Sequence, residues 1–357
     1  MFIDKAFDKL SALLPEESAE IAGLKYVAEG STPCFRRRRR GKNFAYYDHK
    51  GTIVKDEKII ERINSLVIPP AWDNVWICAS KNGHIQATGR DVKGRKQYIY
   101  HTEWESIRNQ TKFSRILKFG NTLPFIRQKV EEDLRLKKLS RDKVLALIVK
   151  LLDETNIRVG NEEYEKANKS YGLTTLKNKH LDVSDGKPKL IFKGKSGKEW
   201  LVTIEDRRIA KIIRQIQELP GQQLFQYYDE ENNVQTADSS SVNEYIKSIS
   251  SDDFSAKDFR TWSGTVAAAI EFANQTPPLG EKEARRMISK VVKHVAHELS
   301  NTPAISRKYY IHPEIINLYT EGRIQDDFNK YKAKPIEGLT PEETAVLLML
   351  KERIKEG

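Results

Sequence analysis

Residues 140–153 read Ser-Arg-Asp-Lys-Val-Leu-Ala-Leu-Ile-Val-Lys-Leu-Leu-Asp, and this stretch decides how the larger part of the chain folds. Its apolar residues between Val144 and Leu152 recur with the period of an α-helix and share one face. Ser140 stands where an N-cap is expected, because its hydroxyl can accept a hydrogen bond from the first turn. The stretch predicts a helix, and the pattern is mainly helical from about Trp104 onward.

Helical patterns recur through this region, with one interruption at about 173–204. There, alternating residues and the pairs Asp185-Gly186 and Ser196-Gly197 predict an inserted β-hairpin. The last helix begins at Thr340-Pro341-Glu342-Glu343, the pattern of a capping box with proline at the first helical position. The predicted helices after 140–153 lie at 206–218, 240–249, 258–273, 281–299, 313–320 and 340–354.

The first hundred residues have a different pattern. Short runs rich in Tyr, Trp, Ile and Val alternate with Gly- and Asp-containing turns, which is typical of an antiparallel sheet. The predicted fold class is α+β, with a small β-rich N-terminal domain at 1–103 and a larger, mainly helical domain at 104–357. We predict strands at 44–47, 75–78, 84–88 and 97–100, and helices at 4–14 and 59–66.

The chain is basic. Lys and Arg outnumber Asp and Glu by 61 to 50, which gives a net charge of +11. The excess is concentrated, since residues 31–100 contain 15 basic and six acidic residues. Such a charge favours a polyanionic partner, most often a nucleic acid.

Several classes of protein are disfavoured. Cys34 and Cys78 are too few for a disulfide framework, and without a CxxC pair they indicate no zinc site. The longest apolar runs have six residues, and the N-terminus lacks the apolar core of a signal peptide. No GxxxxGK[ST] pattern is present, so no nucleotide cofactor is expected. We expect a soluble protein of the reducing cytoplasm without a membrane partner.

Five arginines, Arg36–Arg40, stand just before the first predicted strand. Two interpretations of this run remain open. A run of like charge is usually a flexible, solvated element. Alternatively, the run binds DNA through its phosphates, which would add affinity without sequence selection.

The segment Gly89–Tyr100 combines cations with aromatic residues. Arg95 leads into a strand in which Tyr98 and Tyr100 point to the same face. Gln97 has the amide group that can read a base edge in a major groove. An ordinary amphipathic strand is the alternative, but the coincidence of cations and aromatic rings favours contact with nucleic acid.

Near the C-terminus, Ser306–Pro313 reads Ser-Arg-Lys-Tyr-Tyr-Ile-His-Pro. A phenol is a poor nucleophile at neutral pH, since its reference pKa is about 10. Cations held against it favour the phenolate and would also bind a phosphate, so a tyrosine here could attack a phosphodiester. For the octapeptide alone, packing of both tyrosines in a core is the simpler interpretation.

Three other cations, elsewhere in the sequence, stand where they could bind an anion. Arg158 follows the strongest helix in a nearly apolar setting, where burial needs an anion, although a salt bridge to Asp153 or Glu154 would also serve. Lys195 lies at the predicted hairpin tip, where a lysine is by default solvated. Arg260 lies near the start of a predicted helix, where backbone amides already favour phosphate.

Taken in order, these motifs resemble the type IB DNA topoisomerases, most closely the small poxvirus and bacterial form. The resemblance covers nearly the whole chain from about residue 30. The tyrosine recombinases share the helical domain and resemble this chain more distantly. The resemblance depends on residues 89–100, Arg158-Val159-Gly160 with Tyr164, and residues 171–180, 192–195, 257–260 and 306–313.

The resemblance implies which residues act. The nucleophile is the tyrosine directly before Ile-His-Pro, and its neighbour is treated as a packing residue. The asparagine in the set stands where poxvirus enzymes have a histidine; it cannot act as a general acid or base at neutral pH, so its implied role is to donate a hydrogen bond. The implied catalytic residues are Tyr310, Arg158, Lys195, Arg260 and Asn301, and the implied DNA contacts are Arg95, Gln97, Tyr98, Tyr100 and Tyr164.

The implied reaction is transient cleavage of one strand of double-stranded DNA through a 3′-phosphotyrosine. A monomer would relax supercoils in this way without ATP or metal, on the bacterial nucleoid, with both domains closing around the duplex. One alternative is a tyrosine recombinase, disfavoured because Lys257 stands where recombinases usually have a histidine. The other is a DNA-binding protein without catalysis.

Overall fold

The computed structural model describes residues 15–356 except 31, 32, 42 and 185. The helix predicted at 4–14 and Asp185 of a predicted turn therefore lie outside the described residues. The chain divides into two compact units, one ending at Arg115 and the other beginning at Ile116. No helix in the described ranges is both long and apolar enough to cross a membrane.

The N-terminal unit is built on a five-stranded antiparallel sheet with the strand order β2-β1-β3-β4-β5. The four predicted strands are all present in it. The predicted short helix is α2, whose N-cap Asp56 accepts hydrogen bonds from two backbone N–H groups of the first turn. The elements are α1 (Pro15–Ile21), β1 (Cys34–Arg40), β2 (Asn43–Tyr47), α2 (Glu57–Ser65), β3 (Asp73–Cys78), β4 (Ile85–Arg90) and β5 (Lys96–Tyr100).

The five arginines are not a flexible element, so one interpretation was wrong on that point, although four of them, Arg36 and Arg38–Arg40, are exposed to solvent. They form most of β1, which pairs with β2 on one side and with β3 on the other. Arg37 donates to the carbonyl oxygens of Ile68, Pro69 and Trp72 at 3.1, 2.9 and 2.7 Å. A cation can lie on the packed face of the sheet because these carbonyls satisfy its donors.

The second unit is mainly helical, and with the sheet it confirms the α+β fold class. The helices predicted from residue 140 onward are present to within two residues at each end. Three helices of nine residues or fewer were not predicted, because so short a pattern has little periodicity. They are Glu162–Asn168, Pro303–Tyr309 and Ile324–Lys332. The helices are α3 (Thr102–Leu134), α4 (Arg141–Thr155), α5 (Glu162–Asn168), α6 (Arg207–Gln217), α7 (Ser239–Ser250), α8 (Ala256–Ala273), α9 (Glu281–Glu298), α10 (Pro303–Tyr309), α11 (Pro313–Thr320), α12 (Ile324–Lys332) and α13 (Pro341–Glu356).

The predicted interruption is a three-stranded antiparallel sheet of β6 (Leu181–Asp182), β7 (Lys189–Lys193) and β8 (Glu199–Thr203). A short 3₁₀ turn, Lys195–Gly197, joins β7 to β8. Trp200 packs against Gly194, where a Cβ would meet the indole Nε1 at 2.6 Å. The turn is therefore supported by its own strands.

The last helix, α13, is joined to the helical unit through one buried acid, Glu343. Its carboxylate accepts from Arg127 of α3 at 2.7 and 2.8 Å and from the Trp262 indole of α8 at 3.0 Å. Arg127 also binds Asp153 of α4 at 2.7 Å. The predicted capping box is confirmed, since Thr340 and Glu343 exchange hydrogen bonds of 2.9 and 3.2 Å. This one carboxylate thus ties together four helices.

Glu343→Ala should lower the free energy of unfolding by about 3 kcal/mol, because it leaves Arg127 and Trp262 without their buried acceptor. Urea denaturation followed by circular dichroism measures the loss. Glu342→Ala is the matched control, since this neighbouring acid pairs with Lys332 at 2.7 Å nearer the surface. Such pairs contribute about 0–1 kcal/mol. Equal losses in the two variants would contradict the role of Glu343.

Candidate active site

A cavity of about 310 Å³ opens in the helical unit, and four predicted site residues line it. Arg158, Arg260 and Tyr310 come from three segments that are far apart in sequence, and Lys195 reaches the cavity from the hairpin tip. The fold therefore brings together most of the catalytic set that the resemblance implied.

Arg158 is positioned by the chain that leaves α4. Asn156 caps that helix in the left-handed conformation, with a φ of 58°. Gly172 approaches the Arg158 carbonyl so closely that a Cβ would meet this oxygen at 2.6 Å. The Arg158 guanidinium donates to Asn301 Oδ1 at 2.8 Å and to the Ser300 carbonyl at 3.3 Å. Arg158 and Asn301 are thus direct neighbours.

The alternative in which Arg158 pairs with a nearby acid is wrong. Asp153 binds Arg127 at 2.7 Å, and Glu154 binds Lys150 at 3.1 Å. Both acids are engaged with other cations, and Arg158 lines the cavity instead.

Arg260 lies in the second turn of α8, and only 3% of it is exposed. Its guanidinium donates to the carbonyl of Asn156 and, at 2.5 Å, to that of Leu299. Burial, together with the positive charge of Arg158, lowers the pKa of Arg260 to about 10, so it remains charged at neutral pH. Within the described ranges no acidic side chain forms an ion pair with it. An anion in the cavity would supply the missing counter-charge.

Tyr310 directly follows α10 and is 7% exposed. Its backbone N–H donates to the Ser306 carbonyl at 2.9 Å. The Thr265 hydroxyl donates to the Tyr310 carbonyl at 3.3 Å and accepts from the His312 N–H at 3.2 Å. At Gly264, a Cβ would meet the Tyr310 carbonyl oxygen at 2.8 Å. Residues of α8 therefore hold the backbone on both sides of the phenol.

The phenol of Tyr310 is surrounded by cations. Burial by itself raises the pKa of Tyr310, but the charges of Arg260, Arg158 and Lys257 outweigh burial, so this pKa lies below its ordinary value. The guanidinium carbon of Arg260 is 5.6 Å from the ring centroid. The side chains of both arginines reach the phenol as hydrogen-bond partners. The site therefore favours the phenolate, the form that acts as a nucleophile.

The hairpin and the chain after α9 complete the cavity. Lys195 is exposed at the hairpin tip. Next to the same turn, Lys198 donates to the His297 carbonyl at 2.6 Å and so ties the hairpin to the C-terminal end of α9. Asn301 follows that end, and its buried Nδ2 has no hydrogen-bond partner among the described atoms. A donor buried without an acceptor costs free energy unless a ligand supplies one.

The predicted DNA contacts of the sheet lie in the N-terminal unit rather than in the cavity. Arg95 and Gln97 both bind Asp91, at 2.6 and 3.0 Å. Tyr98 is 43% exposed and stacks on Tyr100, with ring centroids 5.7 Å apart. The two tyrosines share a face, as the strand pattern predicted, and one of them offers an open aromatic surface.

Among the cavity residues that were not predicted as site residues, two have side chains of interest for the chemistry. Tyr171 lines the cavity, and its ring centroid lies 4.3 Å from that of His180. Lys257 lines it too and acts on the phenol of Tyr310. Both stand inside quoted motifs, but no local pattern relates them to a tyrosine so distant in sequence. Tyr164 lies in α5, and its side chain is outside the described residues.

Comparison with known proteins covers both units. A family described as "Eukaryotic DNA topoisomerase I, catalytic core" matches residues 101–334, and one described as "Bacterial DNA topoisomerase IB, N-terminal domain" matches residues 43–91. DNA topoisomerase 1B of Acanthamoeba polyphaga mimivirus is 34% identical over 302 residues, which cover 83% of this chain and 89% of that protein. DNA topoisomerase 1B of Vaccinia virus (strain Copenhagen) is 27% identical over 248 residues, 68% of this chain and 74% of that protein.

The lowered pKa of Tyr310 predicts that the tyrosinate absorbance lost in Tyr310→Phe titrates below pH 10. Arg158→Ala should shift this midpoint upward, because the charge and the hydrogen bond of Arg158 both favour the phenolate. Ultraviolet difference titration of each variant against its Tyr310→Phe counterpart measures the shift. Lys308→Ala is the control and should leave the midpoint in place; an equal shift there would show that cations adjacent in sequence activate the phenol.

Proposed function

Since the chain belongs to the type IB DNA topoisomerase family, whose members are isomerases acting on DNA, we propose that Tyr310 is its nucleophile. In this proposal the enzyme relaxes supercoiled duplex DNA through a covalent 3′-phosphotyrosine. The observation that carries the proposal is a buried phenol within reach of two guanidinium groups, Arg158 and Arg260, in one open cavity. The groups that favour the phenolate would also bind the phosphate under attack.

The proposed cleavage step exchanges one phosphodiester for another. The Tyr310 oxygen forms a bond to a backbone phosphorus while the bond from that phosphorus to the 5′-oxygen breaks. The phenolic proton passes to water, and the departing 5′-oxygen takes up a proton to become a hydroxyl. Because the bond energy is conserved, the reverse step reseals the strand without ATP, and the free end can rotate in between. This exchange of one phosphodiester for another consumes neither a metal ion nor a nucleotide.

The transition state of this step has extra negative charge on the non-bridging oxygens. Arg158 and Arg260 both line the cavity and would stabilise that charge. The Asn301 Nδ2, buried without an acceptor, would donate to one of these oxygens. The planar fork of arginine suits a phosphate, so lysine would not replace either residue fully.

Lys195 is the proposed general acid. The reference pKa of lysine lies well below that of arginine, and Lys195 is exposed whereas Arg260 is buried and bound to carbonyls, so Lys195 is the suitable cation to protonate the 5′-oxygen. From the hairpin tip Lys195 lines the cavity and would reach a strand bound there. The contact of Lys198 with α9 would keep that tip near Asn301.

The N-terminal unit is proposed to contact the duplex. The exposed ring of Tyr98 can pack on DNA, and Gln97 lies beside it on the same strand. Arg95, Tyr100 and Tyr164 are assigned to DNA contact from the resemblance. A monomer is the proposed acting form, because Arg158, Lys195, Arg260 and Tyr310 meet in one cavity without a contribution from a second copy.

The purified protein should relax supercoiled plasmid in EDTA without ATP, and Tyr310→Phe should lose all relaxation because it lacks the nucleophilic oxygen. Agarose gel electrophoresis of the plasmid topoisomers measures both. Tyr309→Phe is the matched control and should retain activity. Loss in Tyr309→Phe with activity in Tyr310→Phe would reverse the assignment. Wild-type protein that binds plasmid without relaxing it would overturn the proposed function.

Lys195→Ala should slow single-turnover cleavage of a duplex by about 10²- to 10⁴-fold, the usual contribution of a general acid. The loss should largely disappear when sulfur replaces the 5′-bridging oxygen. A thiol has a reference pKa of about 8.5, so a thiolate leaves without a proton. Lys193→Ala, on β7 of the same hairpin, should cleave both substrates nearly normally. A defect of Lys195→Ala that persists with the sulfur substrate would exclude this role.

A further inference from the structure

The strand pairings show which face of the sheet each arginine of β1 occupies. Arg36 is paired with Trp76, Trp76 with Thr88, and Thr88 with Tyr98. Directly paired residues share a face, so Arg36 lies on the face of Tyr98. By the two-residue period of a strand, Arg38 lies on this face as well.

Arg37 and Arg39 belong to the opposite face. Arg37 binds the carbonyls of Ile68, Pro69 and Trp72 and lies 4.2 Å from the Phe44 ring centroid. Arg39 is 5.9 Å from the same ring. Arg40 ends the strand, has the period of Arg36 and Arg38, and lines a different recess beside Asn43. Arg37 is therefore a structural residue, and Arg39 is a cation directed away from the face of Tyr98.

Arg36 and Arg38 are exposed and line a concavity of about 520 Å³. Tyr47 of β2 lines it too, and the Arg38 guanidinium carbon lies 5.0 Å from its ring centroid. This contact holds one cation over an aromatic wall and leaves its outer edge open. The concavity is large enough for a phosphate group.

The acids at this concavity have other partners. Asp48 lines it, and its carboxylate accepts from two backbone N–H groups of its own turn, at 2.9 and 2.8 Å. Glu29 forms an ion pair with Lys96 at 2.8 Å. Lys96 makes the largest contribution to lowering the pKa of Glu29, and Arg36 makes a smaller one. In the part of the chain that is described, neither Arg36 nor Arg38 has an acidic side chain at ion-pair distance. Their charge is available to an external anion.

The spacing of the strands matches the size of a DNA groove. From β1 to β5 there are three steps between strands, each about 4.8 Å, or about 14 Å in all. The major groove of B-DNA is about 12 Å wide. The separation of Tyr98 from β1 is thus of the scale of a DNA groove, so a duplex that contacts Tyr98 can also bring a phosphate strand to β1.

We propose that Arg36 and Arg38 form a phosphate-contact site for the DNA backbone on the sheet face that bears Tyr98. The site supplies affinity without reading sequence, because guanidinium groups on phosphates meet the same chemistry at every base pair. This proposal rests on the proposed action on duplex DNA and adds to it a binding site outside the catalytic cavity.

The salt dependence of binding tests the proposal. Each phosphate contact contributes about 0.9 to the slope of log affinity against log salt concentration, so R36Q/R38Q should lower the slope by about 1.8. Its affinity deficit relative to the parent protein should then shrink about tenfold between about 50 and about 200 mM salt. Binding is measured in the Tyr310→Phe background with short duplexes of two unrelated sequences, and both should respond equally.

R39Q is the matched control for the single variants R36Q and R38Q, because it removes one exposed charge from the same strand and leaves the Tyr98 face intact. It should keep the parental slope, whereas R36Q and R38Q should each lower it by about 0.9. A slope reduction in R39Q equal to those in R36Q and R38Q would overturn the site and leave only net charge as the cause. An unchanged slope in R36Q/R38Q, with R36Q and R38Q singly unchanged too, would also overturn it. Since binding is measured without cleavage, failure of plasmid relaxation by the wild type would count against the proposed function separately.

Discussion

The stabilisation of positive charge by helix ends is the interaction on which the cavity depends. Arg260 is almost fully buried, and its guanidinium binds the carbonyls of Asn156 and Leu299, the C-cap residues of α4 and α9. Arg158 binds the carbonyl of Ser300, two residues beyond the end of α9. The partial negative charge at a helix C-terminus stabilises a cation there. Helix ends thus take the place that an acidic side chain would have in an ordinary buried ion pair.

This substitution leaves the site able to act on an anion. A carboxylate beside Arg260 would neutralise it and compete with a substrate phosphate, whereas carbonyl dipoles offset only part of the charge. The remainder lowers the pKa of Tyr310 and would draw a phosphate into the cavity. Lys198 follows the same rule, since it binds the His297 carbonyl near the end of α9 and holds the hairpin of Lys195 there. One helix terminus therefore organises groups from three segments.

Prediction from sequence succeeded where a signal was local. The helices α4 and α8 have long apolar faces, and their predicted limits agree with the structure to within two residues. The order of motifs was sufficient to select Arg158, Arg260 and Tyr310, which the fold brings to one cavity. Local signals could not show that Arg158 binds Asn301, 143 residues later, or that Lys257 acts on the phenol. Those contacts depend on how α8 and α9 pack, which no single segment encodes.

The arginine run shows why a charge pattern acquires a meaning only from its strand pairing. In a flexible element the five arginines would be equivalent cations. In the strand β1 they lie on two faces that have different surroundings. Arg37 satisfies carbonyls of the loop after α2 and stabilises the sheet, while its neighbours Arg36 and Arg38 face the side of Tyr98. Phosphate contacts carry no sequence information. In the proposed function, the sheet would therefore supply affinity for the duplex, and the cations around Tyr310 would select the reacting phosphate.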